Sequence, residues 1–197
     1  MSYAIIGLGK IGTAIAQAFS HQDIEVIVAG RRPVDALAAK IGPLLVPQRI
    51  EDAVKADVVI LAVPFGNHRD IGRAAANWEG KIVIDAMNAY GVPPEELGGL
   101  PSSAAVAKSF PGAKVVKAFN HLPAATLAQG ATTRQGGRRV VFVSSDHDDA
   151  STSVAALVDR LGFAPIELGK IGEGGLLVQA RGNTWAQLIF QDLTKFD

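Results

Sequence analysis

The 197-residue sequence contains no cysteine. Disulfide bonds, metal sites with thiolate ligands and a cysteine nucleophile are therefore excluded. An excess of either charge is also missing, because 19 Lys and Arg residues are balanced by 19 Asp and Glu residues. Without a basic surplus we expect no nucleic acid partner. The four histidines lack the spacing of metal ligands, so no metal site is predicted.

Long apolar runs are also absent from the sequence. The longest is VVILAVPF at residues 58–65, whereas a transmembrane helix needs about 20 apolar residues. The chain enters a predicted strand at residue 3 without the basic and apolar regions of a signal peptide. We therefore expect a cytoplasmic protein that makes no membrane contact. Its length and its 48% of apolar residues are enough for a single domain over residues 1–197.

Apolar segments of strand length alternate with helical patterns along the chain. The runs VIVA, VVILAV and IVIDA are apolar throughout, which is typical of parallel strands that are buried on both faces. This alternation predicts an α/β fold of the Rossmann type, a doubly wound and mostly parallel sheet of about eight strands with a C-terminal helix. The predicted strands cover 3–6, 25–29, 43–46, 57–63, 81–86, 114–119, 139–144 and 164–168. The predicted helices cover 11–20, 34–41, 67–77, 103–110, 148–162 and 175–192, and the Pro- and Gly-rich segment 91–103 is predicted to be a loop.

The clearest motif is GLGKIG at residues 7–12, which follows the strand YAII and opens a helical pattern. In such a turn Gly7 allows the tight bend, Gly9 lets the backbone approach a pyrophosphate, and Gly12 lets the helix pack on the strand. The helix N-terminus then offers N–H groups and positive dipole to the phosphates. The motif predicts a dinucleotide site, and the alternative is a structural turn without a ligand.

The second predicted strand ends in the sequence AGRR, residues 29–32. A site for NAD typically has an acidic residue at this strand end, where it binds the ribose 2′-hydroxyl. Here the tip carries Arg31 and Arg32 instead, and guanidinium groups suit a 2′-phosphate because they form charge-assisted, forked hydrogen bonds. The sequence therefore favours NADP(H) over NAD(H), and the alternative is a solvated arginine loop.

Four stretches resemble the F420-dependent NADP oxidoreductases: the turn after the first strand, AGRR (29–32), ILAVPF (60–65) and FPGAKVVKAFNHLPAATL (110–127). The last is also similar to the NADPH-binding oxidoreductase domain of the STEAP metalloreductases. The resemblance covers nearly the whole chain. It implies a Rossmann sheet with extra strands and a C-terminal helix. It also implies that NADPH reduces a flavin or deazaflavin bound against the nicotinamide.

The resemblance also implies which residues contact each cofactor. The pyrophosphate of NADP(H) would contact Gly7, Leu8, Gly9, Lys10, Ile11 and Gly12, and the 2′-phosphate would contact Gly30, Arg31 and Arg32. The ribose and adenine would lie near Ala62, Val63, Pro64 and Phe65. At the ends of the fifth and sixth strands the cofactor would contact Asn88, Ala118, Phe119 and Asn120, of which the last three face the nicotinamide. For the second cofactor, F420, FMN or FAD, they are His121, Leu122, Pro123 and Ala124. Family members often carry an arginine and an acid in the final helix, whereas this chain has Gly175 and Val178 near those positions.

A reductase of ketones or imines needs a positioned acid, and the sequence offers no convincing one. Position 94, four residues after Tyr90, is a proline, so the Tyr-x-x-x-Lys pair is missing. A flavin or deazaflavin ring accepts a hydride directly, so that the protein mainly orients the two rings. His121 is a weak catalytic candidate, for which a structural role is equally expected. We expect His68 at the surface and Trp78 in helix packing.

Two other functions stay open at this point. One is a non-catalytic NADP(H)-binding redox sensor, and the other is a reductase of small carbonyl compounds with an unrecognised proton donor. The last predicted helix is apolar around much of its circumference. One face should pack on the sheet, so that LLV (176–178), Trp185 or Ile189 and Phe190 are available for a homodimer. The alternative is that both faces are covered within the monomer.

Overall fold

The computed structural model describes residues 1–180 and 192–196, and within these ranges the chain forms nine strands and seven α-helices. The strands are β1 (Tyr3–Ile6), β2 (Val26–Ala29), β3 (Leu45–Pro47), β4 (Val58–Leu61), β5 (Ile82–Asp85), β6 (Lys114–Ala118), β7 (Arg138–Ser145), β8 (Ala164–Glu167) and β9 (Thr194–Lys195). The helices are α1 (Lys10–His21), α2 (Asp35–Ile41), α3 (Ile50–Ala53), α4 (His68–Arg73), α5 (Ser102–Ala107), α6 (Ala124–Leu127) and α7 (Asp148–Arg160). Short 3₁₀ helices cover Phe65–Asn67, Pro94–Leu97 and Gly174–Val178.

The sheet has the strand order β3-β2-β1-β4-β5-β6-β7-β8. The first six strands in this order are parallel, and Ile5 of β1 lies opposite both Val28 of β2 and Ile60 of β4. Strand β7 runs antiparallel to β6, β8 is parallel to β7, and β9 pairs antiparallel with the first residues of β7. The predicted Rossmann-type fold is confirmed. Because the chain order reverses beside β1, the carboxyl ends of β1 and β4 form the crevice in which such sheets bind ligands.

Apolar side chains cover both faces of the sheet. On one face Ile5 packs in a cluster with Phe19 of α1, and both are fully buried. On the other face Ile6 belongs to a cluster that contains Trp78 and Phe110, whose rings meet edge to face at 4.7 Å. The packing role predicted for Trp78 is confirmed. Burial on both faces explains why the strand sequences are apolar throughout rather than alternating.

Several predicted boundaries need correction. Helix α4 ends at Arg73 instead of residue 77, because the Gly72 carbonyl accepts a hydrogen bond from the Trp78 indole (2.8 Å) instead of continuing the helical ladder. The predicted loop 91–103 contains the 3₁₀ helix Pro94–Leu97 and the start of α5. Helices α3 and α6 and strand β9 were not predicted, since they are too short to show a period. Of the predicted helix 175–192, residues 175–178 belong to the 3₁₀ helix Gly174–Val178, and residues 181–191 lie outside the described residues.

A buried ion pair links the ends of β5 and β6. The Lys117 ammonium lies 3.4 Å from Oδ2 of Asp85, and the two side chains are 2% and 0% exposed. Oδ2 of Asp85 also accepts a hydrogen bond from the Ser103 hydroxyl at 2.6 Å, and Oδ1 accepts one from the Met87 amide at 2.9 Å. The pair therefore joins two strands, the loop after β5 and helix α5 at the ligand-binding edge of the sheet.

We expect the variant Lys117→Met to lower the free energy of unfolding by about 3–5 kcal/mol, because it leaves the Asp85 carboxylate buried without its counter-charge. The double variant Asp85→Leu/Lys117→Met should recover part of this loss. Lys114→Met, on the same strand, removes a partly exposed pair with Asp149 and should cost much less, because exposed ion pairs contribute little to stability. Urea denaturation measures all three. Equal losses for Lys117→Met and Lys114→Met would show that the buried pair has no special role.

Candidate functional site

The turn after β1 brings helix α1 into very close contact with the sheet. Gly7 has a φ of +100°, and a Cβ there would lie 2.5 Å from the Ala62 carbonyl oxygen. At Gly12 a Cβ would lie 1.8 Å from the Gly7 carbonyl oxygen, a distance that no real side chain can adopt. A Cβ at Gly9, by contrast, would meet no atom within 4 Å. Gly7 and Gly12 are therefore required by packing, and the space beside Gly9 is open.

The first turn of α1 faces this open space. Gly9 is the N-cap residue, and the Thr13 amide closes the first helical hydrogen bond to its carbonyl at 2.8 Å. The N–H groups of a helix's first turn have no intrahelical partners. Lys10 is exposed and Ile11 is partly exposed at this end. The arrangement can bind an anion through backbone donors, the helix dipole and one ammonium group.

A cavity of about 620 Å³ extends from the glycine turn across the ends of β1, β2 and β4. Its lining includes nine of the residues predicted for NADP(H), namely Gly7, Leu8, Gly9, Gly30, Arg31, Arg32, Ala62, Val63 and Pro64. The other predicted residues are not part of this lining: Lys10, Ile11, Gly12, Phe65, Asn88, Ala118, Phe119 and Asn120. Phe65 is 8% exposed and packs in the cluster that contains Trp78 and Phe110, because the 3₁₀ turn directs its ring inward.

Sequence reasoning missed the other walls of the cavity. They are formed by Ile6, Pro33, Val34, Leu37, Ile50, Glu51, Asn67, Asp70, Ile71 and Ala74. Ile50 and Glu51 begin the short helix α3 after β3, and Asn67 and Asp70 lie in the segment after β4. A signal was available, because every loop that follows a parallel strand reaches the same edge of the sheet.

The charges around the cavity are unevenly paired. Each of its two carboxylates has an arginine partner: Glu51 lies 3.3 Å from Arg49, and Asp70 lies 3.2 Å from Arg73. Both guanidinium groups at the tip of β2, those of Arg31 and Arg32, are exposed and make no hydrogen bond or ion pair within residues 1–180 and 192–196. The cavity therefore carries a surplus of positive charge at its β2 side, which favours an anionic ligand.

A second polar site lies at the ends of β5 and β6. The side-chain amide of Asn88 donates to the Asn120 carbonyl at 2.8 Å, and the Asn120 amide donates to Oδ1 of Asn88 at 3.1 Å and to the Val178 carbonyl at 2.7 Å. Phe119, just before Asn120, has a φ of +62°, a strained conformation for a residue with a side chain. The fully buried Phe119 ring packs edge to face on Phe163, which holds this conformation in place.

His121 follows in the same segment and is 4% exposed. Its ring packs edge to face on Phe142 of β7, with centroids 4.8 Å apart, and neither ring nitrogen has a hydrogen-bond partner in the described part of the chain. Burial lowers its pKa to about 4, and the nearby Val140 backbone opposes this shift only in part. The imidazole is therefore neutral near pH 7 and is a poor proton donor.

The remaining predicted contacts for a second cofactor have mixed exposure. Leu122 is 2% exposed and belongs to the cluster on the α1 face, whereas Pro123 and Ala124 are partly exposed where α6 begins. The surface position predicted for His68 is wrong: this residue is 2% exposed and packs on Phe65, whose carbonyl it contacts, because the 3₁₀ turn folds the two rings together. Trp185, Ile189 and Phe190 lie outside the described residues.

The described residues contain no group of three or more His, Cys, Asp or Glu side chains placed to hold a metal ion. Nor does any helix among them have the length and apolar character needed to cross a bilayer.

Comparison with known proteins shows what the chain is similar to. Residues 2–89 match the family described as NADP oxidoreductase, coenzyme F420-dependent. Metalloreductase STEAP3 of Rattus norvegicus is 29% identical over 170 residues, which are 85% of this chain and 33% of the relative. The chain thus spans about a third of the length of the curated relatives it matches.

Two solved structures are similar over most of the chain. A hypothetical protein from Sinorhizobium meliloti is 41% identical, with a TM-score of 0.89, over 100% of this chain and 96% of that one. A candidate F420-dependent NADP reductase from Arthrobacter sp. FB24 is 29% identical, with a TM-score of 0.70, over 87% and 86% of the two chains. The chain is thus a relative of the Sinorhizobium protein over its whole length, and its residues 2–89 are similar to the NADP oxidoreductases described as coenzyme F420-dependent.

Proposed function

We propose that this protein is an NADPH-dependent oxidoreductase that transfers a hydride between NADP(H) and a flavin, a deazaflavin such as F420, or a similar acceptor. The observation that carries the proposal is the cavity at the glycine turn, where two guanidinium groups at the tip of β2 have no partner in the described part of the chain. The pyrophosphate would lie at Gly9 and the first turn of α1. Arg31 and Arg32 would hold the 2′-phosphate, since the carboxylates nearby are already paired with other arginines.

The second half of the dinucleotide would run along the ends of β4, β5 and β6. There Asn88, Ala118, Phe119 and Asn120 would border the nicotinamide, as the family resemblance implies. NADPH, when bound, supplies the hydride at its nicotinamide ring. The residues of this chain hold the dinucleotide and orient the ring, because Asn88 and Asn120 fix each other across the two strands.

The acceptor is proposed because the sequence offers no convincing proton donor. His121, the one weak catalytic candidate, is neutral and enclosed. A flavin, F420, FMN or FAD ring needs mainly a flat, oriented surface, which Leu122, Pro123 and Ala124 would provide beside the nicotinamide. The sensor and the carbonyl reductase are the alternatives, and both are outcomes of the tests below.

Cytoplasmic location, a single domain over residues 1–197 and a homodimer are parts of the same proposal. Leu176 and Leu177 are 36% and 43% exposed, which agrees with an apolar surface in the region predicted for the dimer. In a C₂ dimer the same patch would be buried on both subunits.

We expect NADPH to bind at least about tenfold more tightly than NADH, which corresponds to about 1.4 kcal/mol. The double variant Arg31→Ala/Arg32→Ala should lose most of this preference while its affinity for NADH changes little, because only the 2′-phosphate contacts are removed. Arg160→Ala is the control, since Arg160 lies near Tyr3 at the opposite edge of the sheet. Calorimetric titration of both nucleotides measures the ratio, and equal affinities in the unmodified protein would refute the NADP(H) assignment.

The variant Ala124→Trp should block the acceptor and leave NADPH binding unchanged, because Ala124 opens α6 beside the proposed acceptor face. We expect NADPH oxidation with F420, FMN or FAD to fall at least about tenfold, or about 1.4 kcal/mol in transition-state stabilisation. Ala128→Trp, exposed at the other end of α6, is the matched control. Loss of NADPH absorbance is followed with these acceptors and with carbonyls. Turnover of carbonyls alone would indicate a missed acid, and tight NADPH binding without any turnover would favour the sensor.

His121 should make the folded protein less stable in acid. Above about pH 6.5 the imidazole is neutral in the folded and in the unfolded protein. Below that pH the unfolded chain binds a proton, which the folded chain does not accept until about pH 4. The free energy of unfolding should therefore fall by up to about 3 kcal/mol across this window. In His121→Phe this part of the pH dependence should disappear, whereas exposed His21→Gln should retain it. Urea denaturation from about pH 7 to about pH 4 tests this, and identical pH slopes for the unmodified protein and His121→Phe would contradict it.

A further inference from the structure

Helix α4 separates two cavities. Asp70 and Ile71 line the cavity beside the glycine turn, whereas His68, Arg69 and Gly72 line another cleft, of about 510 Å³, which we call the α4 cleft. Its remaining walls are the 3₁₀ helix that follows β5 and the C-terminal end of α5. The two linings have no residue in common. The α4 cleft is therefore separate from the proposed dinucleotide site, and an inference about it goes beyond that function.

The floor of the α4 cleft is fixed by a close contact between two elements. A Cβ at Gly72 would lie 2.2 Å from the carbonyl oxygen of Ser109, so α4 and the turn after α5 meet here with no room for a side chain. Both residues line the cleft. The cleft is thus formed by the packing of the elements themselves and does not depend on the positions of exposed side chains.

His68 contributes a hydrogen-bond acceptor of fixed position to the α4 cleft. The ring is 2% exposed and packs edge to face on Phe65, whose carbonyl oxygen contacts Nδ1. A carbonyl oxygen can only accept a hydrogen bond, so Nδ1 carries the hydrogen and Nε2 of the neutral ring is the acceptor. Nε2 has no partner in the described part of the chain. A buried ring that lines the cleft therefore offers it an unused acceptor.

The charged residues of the α4 cleft are not paired with one another. Glu95 and Glu96 lie on the 3₁₀ helix, whereas Arg69 lies on α4 and Lys108 at the end of α5. Within residues 1–180 and 192–196 these four side chains form no ion pair and no hydrogen bond. Arg73, the third cation of the lining, is already paired within α4. An acidic wall and two basic walls thus share one cleft without neutralising each other.

We propose that the α4 cleft binds a small zwitterion with one ammonium and one carboxylate group, that is, an amino acid. Unpaired charges of both signs in one cleft are complementary to a ligand that carries both signs. The ammonium lies at Glu95 and Glu96. It also donates to Nε2 of His68, an acceptor that cannot bond to a carboxylate. The carboxylate lies at Arg69 and Lys108, and a simple anion or cation would match one wall and be repelled by the other.

The test is an NMR titration of the whole chain with three amino acids of increasing length: β-alanine, γ-aminobutyrate and ε-aminohexanoate. Each is compared with the carboxylate and the amine of the same chain length. At one or more lengths the zwitterion should bind at least about tenfold more tightly than either singly charged compound. The nitrogen resonance of His68 Nε2 should shift with the zwitterion and not with the carboxylate, because only the ammonium can donate to it.

Two double variants test the acidic wall. In Glu95→Gln/Glu96→Gln the advantage of the zwitterion over the carboxylate should disappear, since the ammonium loses both of its carboxylate partners. Glu25→Gln/Glu173→Gln is the matched control, because it also removes two exposed carboxylates and neither of them lines the cleft. Arg31→Ala/Arg32→Ala, which alters the cavity beside the glycine turn, should bind the zwitterion as the unmodified protein does.

Four results would overturn the inference. The first is a carboxylate or an amine that binds as tightly as the zwitterion at every length, a comparison that needs no variant. The second is an advantage of the zwitterion that survives in Glu95→Gln/Glu96→Gln. The third is an Nε2 resonance of His68 that does not respond to a saturating zwitterion. The fourth is loss of zwitterion binding in Arg31→Ala/Arg32→Ala, which would locate the ligand in the other cavity.

Discussion

The contact between Gly12 and the Gly7 carbonyl is the constraint on which the remaining site depends. A single methyl group at residue 12 would lie 1.8 Å from that oxygen, so helix α1 could not stay where it is. Its position directs the first turn of α1 at the gap between β1 and β4 and leaves open space beside Gly9. The cavity wall formed by Ala62, Val63 and Pro64 lies against the same turn.

The two halves of the proposed dinucleotide site differ in their physical character. The half near β2 is open and charged, and its two guanidinium groups are exposed, so it can bind a phosphate. The half near β6 is enclosed, and there the Asp85–Lys117 pair and the Asn88–Asn120 amides are held by hydrogen bonds. A half that is fixed in this way can orient the nicotinamide ring, because hydride transfer depends on the placement of two rings more than on tight binding.

The sequence predicted those features that depend on neighbouring residues. The glycine turn, the arginine tip of β2 and the apolar parallel strands are each encoded within a few positions, and all of them are present in the structure. The pairing of Asp85 with Lys117 could not be predicted, because it depends on the register of β5 and β6 across 32 residues. The burial of His68 was missed because one 3₁₀ turn reverses its direction. The orientation of the Asn120 amide could not be predicted either, because it depends on the Val178 carbonyl, 58 residues away.

Strand β9 has a consequence for the far side of the sheet. The first two residues of β7, Arg138 and Arg139, extend beyond the stretches paired with β6 and β8 and instead pair with Lys195 and Thr194. Arg139 also forms an ion pair with Asp192 at 2.7 Å. A shortened chain that ends before residue 192 would leave unpaired backbone groups on β7 and a buried guanidinium without its carboxylate. Such an exposed strand end is a template for edge-to-edge association, and the pairing of residues 194 and 195 with β7 covers it.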